Sequence, residues 1–145
     1  MARWMHDDRM ERSMASRLDR SKERARREMF HRLRENQPEV AKRVAMKLIE
    51  DQLIETTSKR DLESQLIAAI DHLLEGDEFE INYAIAPYRE VVPRPNLIVL
   101  YLTSFVVEKL INQDWVEDIF GSDEQIYQAI RSQVEPLLAR RGQSA

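Results

Sequence analysis

Six basic side chains near the N-terminus have the spacing of a recognition surface. Arg17, Arg20, Arg24, Arg27, His31 and Arg34 are separated by 3, 4, 3, 4 and 3 residues, so on a helix they share one side. Such a ridge attracts anions. It can contact successive phosphates of RNA or DNA, each neutralised phosphate releasing counterions. It can instead dock on an acidic protein surface, or stay solvated with its arginines paired to Asp19, Glu23 and Glu28. No aromatic is interleaved in the ridge to stack on bases. Charge along the chain follows the same division: residues 1–37 carry a net +4 and residues 38–145 a net −8, giving the overall −4. An arm of one sign on a body of the other is the pattern of a partner-binding tail, or of an arm that folds back on its own body.

Catalytic chemistry finds less to work with. The three histidines are His6, His31 and His72. His72 has Asp71 beside it and Glu75 one turn on, a carboxylate–imidazole or metal pair in outline. A metal centre needs three or four ligands, and no recognisable spacing supplies the others. A helical di-iron motif needs Glu three residues before His, and that position is Ala69. The absence of Cys removes thiolate sites and thiol nucleophiles, and three glycines are too few for a phosphate-cradling loop. No Ser/His/Asp grouping can be assembled from sequence, because those groups meet only in the fold. The acidic run from Glu75 to Glu80 lacks the alternating ligands of a calcium loop. It reads as a solvated turn, or as a site for a cation or a basic partner. Trp115 and Phe120 read as core anchors rather than a docking patch. Residues 97–111 are apolar, but they are too short to span a bilayer and carry Glu108 and Lys109.

These groups must be held by helices. From Asp7 to Glu35 there is neither Gly nor Pro, and Asp8–Arg12, Glu23–Arg27 and Glu28–Arg32 place acid before base at the four-residue spacing that supports a helix. Its apolar stripe is thin: Met10, Met14, Leu18, Ala25, Met29 and Leu33. The spacing predicts a long, largely solvated helix, frayed over its first dozen residues, that ends or restarts at Pro38. Val40, Val44, Leu48, Ile49 and Leu53 predict a second helix from Pro38 to Ile54. Thr56 to Lys59 is a break. Ser58 caps the next helix, whose buried face is Leu62, Leu66, Ile67, Ile70, Leu73 and Leu74, and Gly76 ends it. As the recognition helix of a helix-turn-helix, Lys59 to Glu75 would be net acidic, which tells against base reading in a groove. Residues 79–92 alternate like a strand, yet Ile81, Ile85, Tyr88 and Val92 suit one helical face; a short irregular helix is favoured. Pro93-Arg94-Pro95 is a linker. Asn96 caps an apolar helix over 97–113, and Ser122 with Gln125 caps a last one through Leu138, before a frayed tail.

The second half of the chain echoes the first. Lys47-Leu48-Ile49 and Leu53-Ile54-Glu55 reappear 62 residues later as Lys109-Leu110-Ile111 and Trp115-Val116-Glu117. With two extra residues in the turn, Leu62, Leu66, Ile70, Leu73 and Leu74 match Ile126, Ile130, Val134, Leu137 and Leu138. One helical hairpin cannot bury its apolar face alone, whereas two stacked together can. A chance likeness of two amphipathic helix pairs is the alternative.

The run from Lys47 through Ile70, followed by Asp77-Glu78-Phe79-Glu80-Ile81-Asn82, resembles a bacterial family of small helical proteins of unknown function, over about residues 40–138. Phe79 and Pro87 depart from the family pattern, and the arm lies outside it. The resemblance implies a helical fold and no activity.

The expectation is an all-α protein: a basic helical arm (1–37), then two tandem hairpin repeats (about 38–76 and 97–139) packed as a small bundle and joined by an irregular segment (77–96). The expected function is non-enzymatic interaction or assembly, with the arm engaging a protein or a second copy. Nucleic-acid association through Arg17, Arg20, Arg24, Arg27, His31 and Arg34 is the alternative, and a helical enzyme using carboxylates and His72 the third. No metal, cofactor, small-molecule substrate or membrane association is expected. With no Cys, and no apolar run of signal-peptide length in residues 1–30, the expected compartment is the cytoplasm.

Overall fold

A computed structural model describes residues 20–139 of the chain. His6, Arg17 and Asp19, the Asp8–Arg12 pair, Met10, Met14 and Leu18, and the tail after Ala139 lie outside the described residues. The chain divides into two compact units, residues 1–32 and 33–145.

Residues 20–35 are helical and form α1. Two of the acid-first pairs close there: the Arg27 guanidinium lies 3.0 Å from Glu23 and that of Arg32 lies 3.6 Å from Glu28. Arg26 sits over the Phe30 ring, 5.4 Å from its centroid.

The second unit is all-α but for one small ribbon. Its elements are α2 (Gln37–Glu50), β1 (Ile54–Thr56), α3 (Lys59–Glu75), α4 (Glu78–Ile85), α5 (Leu97–Ser104), β2 (Val116–Ile119) and α6 (Asp123–Leu138). Most helix starts lie where local chemistry puts them. The Ser58 hydroxyl accepts from the Asp61 N–H, the Asn96 amide oxygen accepts from Ile98 and Val99, and Ser122 forms a reciprocal capping box with Gln125. Gly76 ends α3 with an ordinary φ of −70°. Glycine is needed there for room, since a Cβ would stand 2.7 Å from the His72 carbonyl oxygen.

The core is built where helix faces meet. Helix α2 packs on both α3 and α6, and α5 packs on α6, α4 and α3. Leu48, Leu66, Leu110 and Ile130 are fully buried, together with Val40, Val44, Leu62, Ile70, Val134 and Leu138 at its edge. Helix α5 is buried all round from Ile98 to Ser104, as a helix apolar on every side must be. The Thr103 and Ser104 hydroxyls are satisfied internally, Thr103 donating to the Val99 carbonyl and Ser104 to that of Tyr101, both at 2.7 Å. At the start of α2, the Asn36 side chain donates to the Leu137 carbonyl, and Gln37 donates to the Ile67 carbonyl and to Asp71.

Two features differ from the pattern read in the residues. The second helix stops at Glu50 rather than Ile54, and a strand ribbon stands where helix end and turn were expected: β1 and β2 pair antiparallel, Ile54 with Ile119 and Glu55 with Asp118, then Thr56 with Val116 after an irregularity. Leu53 and Trp115, equivalent in the sequence echo, close its two ends. The Leu53 carbonyl accepts from Phe120 and Gly121, and the Trp115 carbonyl accepts from Thr57. Each strand is too short for alternation to register, and the pairing is long-range. The helix expected over 97–113 also changes its winding. After Ser104 it widens into a π turn (Phe105–Lys109) and then tightens into a 3-10 turn (Leu110–Asn112).

Candidate functional site

The arginine-bearing side of α1 is well exposed. Arg20, Arg24, Arg27, His31 and Arg34 all lie within the helical residues 20–35 and face solvent. Arg27 is engaged by Glu23, as a solvated helix would arrange it. The remaining member of the ridge, Arg17, is outside the described residues. Phe30 was absent from the ridge as read by spacing, yet Arg26 stacks on it one residue from Arg27.

A second site joins His72 and the acidic run to side chains that no local spacing connects with them. A groove of about 710 Å³ is lined by His72 of α3, by Phe79, Glu80 and Tyr83 of α4, and by Pro87, Tyr101, Glu108 and Lys109 beyond. Its geometry follows from the two faces of α4. Ile81 and Ile85 turn into the core, with Tyr88 and Val92 continuing that side. Phe79 and Tyr83, four residues apart, are left on the opposite side, each 78% exposed. The helical reading of 79–92 contained this signal: aromatics off the buried face must meet water or a partner.

The polar groups of the groove are held in place. The Tyr88 hydroxyl donates to Glu108 at 3.0 Å, fixing a carboxylate that the π turn brings to the groove. Burial, then the Glu108 hydrogen bond and charge, push the Tyr88 phenol well above its ordinary value. Burial, with the Glu80 charge behind it, raises Tyr101 as well. His72 is exposed, stacks on Tyr101 with ring centroids 6.4 Å apart, and faces Glu80 at 3.9 Å. Its carboxylate neighbour is therefore Glu80, not Asp71 or Glu75 as the local sequence suggested; Asp71 accepts from Gln37. The acidic run is the α3–α4 junction, where Asp77 caps α4 through the Glu80 N–H.

Phe120, expected as a core anchor, is instead 61% exposed. Its N–H ends the ribbon on Leu53, and its ring lines a shallow cleft with Ile49, Gln52 and Ile54. Trp115 is half-buried. Among the described residues, no group of three or more His, Asp or Glu is placed to hold a metal ion, and no helix is long and apolar enough to cross a membrane. In comparison with known proteins, the chain matches no family model, no curated protein and no solved structure.

Proposed function

We propose that the protein is a non-enzymatic interaction module whose arginine-bearing helix engages an acidic surface, on another protein or on a second copy of itself. The observation that carries this reading is the exposure of Arg20, Arg24, Arg27, His31 and Arg34 on one helix. Guanidinium groups arrayed along one side suit carboxylates, with which they form paired hydrogen bonds, and so give partner choice more than raw affinity. The Arg27–Glu23 pair does not remove that capacity, because an exposed pair contributes little and exchanges readily.

Nucleic-acid association is the second reading. The Arg26–Phe30 stack favours it, since an aromatic ring beside arginines is the usual platform for an unpaired base. The acidic character of α3 works against it.

Affinity purification with full-length bait and with Arg20→Glu/Arg24→Glu/Arg27→Glu, each with and without nuclease, separates the two. The expected result is a protein partner retained after nuclease and lost from the triple variant. The same partner on both baits would overturn the arm as the contact. Loss on nuclease treatment, with affinity for a generic duplex falling steeply between low and moderate salt, would replace the first reading with the second.

A further inference from the structure

We propose that the groove beside α4 is a docking site for a basic amphipathic helix of a partner protein. This proposal does not rest on the arginine face.

Three observations lead there. Phe79 and Tyr83 are large apolar side chains that the fold leaves 78% exposed, although the same helix buries Ile81 and Ile85 completely or nearly so. Their separation of four residues makes a ledge along α4, and an incoming helix with anchors at matching spacing would cover both. Helix α4 has 8 residues, about 12 Å of length, enough for roughly two turns of a partner helix.

The second observation is charge. Glu80 and Glu108 line the groove, and Glu75 and Asp77 stand exposed at the α3–α4 junction between His72 and Phe79. Against them the lining offers Lys109 and His72. Such a rim attracts Lys and Arg, whose stems also lie well across aromatic rings. It repels phosphates. It also disfavours the same face of a second copy, which would bring like charges together.

The third observation is order. Tyr88 holds Glu108 and His72 stacks on Tyr101, so part of the rim is fixed before a partner arrives. Prior fixing lowers the entropy lost on binding. The π turn that presents Glu108 and Lys109 is itself a rare winding, frequent at functional places.

The test uses the full chain and a fluorescent synthetic peptide of roughly 15 residues, built from Leu and Lys at helical spacing, with a Leu/Glu counterpart. Fluorescence anisotropy at low salt is expected to show saturable binding of the Leu/Lys peptide alone, with the His72 and Tyr101 ring resonances shifting in NMR spectra. Binding should weaken about tenfold or more in Phe79→Ser/Tyr83→Ser and in Glu75→Lys/Glu80→Lys. Phe79→Leu/Tyr83→Leu, which keeps apolar surface, should retain most of it and serves as the check on folding. Unchanged affinity in the serine variant, or equal binding of the Leu/Glu peptide, overturns the proposal. So does a light-scattering mass of a dimer that the serine variant dissociates, since the groove then belongs to a second copy.

Discussion

Gln52 holds a backbone conformation better suited to glycine. Its φ is 56°, the one positive value among the described non-glycine residues. It follows the end of α2, where the Leu53 N–H reaches back to the Leu48 carbonyl and the Gln52 N–H to that of Ile49. That is the Schellman closure, normally made with glycine at this position. Gln52→Gly is therefore expected to stabilise the protein by about 0.5–1 kcal/mol, since the relief of left-handed strain exceeds the added freedom of the unfolded chain. A higher urea midpoint at unchanged slope is the measurement that checks it. Ser58, Asn96 and Ser122 were legible as caps because a cap is decided by three or four neighbouring residues. Gln52 was not, because nothing in its side chain announces a left-handed backbone. The exposed Phe120 was misjudged because aromatic residues are more often buried.

Among the elements, the link between the 3-10 turn at Ala86–Tyr88 and the π turn at Phe105–Lys109 has a testable pH signature. Tyr88 is 5% exposed and donates to Glu108. Burial and that bond raise its pKa, so the fold holds the neutral phenol. The stability this contributes is complete below the ordinary tyrosine value of 10.0 and is lost as pH rises above it. The denaturation midpoint of the wild type should fall between about pH 9 and about pH 11, and fall less in Tyr88→Phe. Tyr101, raised in the same direction, keeps a part of the dependence in that variant. An identical slope in both proteins would contradict the assignment. Helix positions were largely legible, since Leu62, Leu66, Ile70 and Leu73 repeat with the period of a helix and are all buried, while Ile67 and Leu74 of the same expected face are half-buried. The ribbon was hidden because Ile54–Thr56 and Val116–Ile119 are short and find each other across the chain. The change of winding after Ser104 was hidden too, because Phe105 to Asn112 keeps helical composition throughout.

At the scale of the molecule, the residue types proved sufficient for the all-α class and for much of the core, but not for its assembly. The groove is the clearest case. His72, Phe79 and Glu108 come from three separate elements, and no local spacing joins them. The arm was the reverse: its ridge was visible at once because its basic residues recur at three- and four-residue spacing within one short stretch of sequence. The ribbon carries a consequence for covalent continuity. Each strand belongs to a different half of the second unit, and α2 rests on helices from both halves. The exposed stretch at Pro93, Arg94 and Pro95 is then a tether rather than a fastening. A specific protease site inserted at Arg94 and cleaved in the folded protein should yield fragments that still co-elute on gel filtration and separate only in denaturant. The same logic makes a molecule of two polypeptides, each supplying one strand, an attainable form of this architecture.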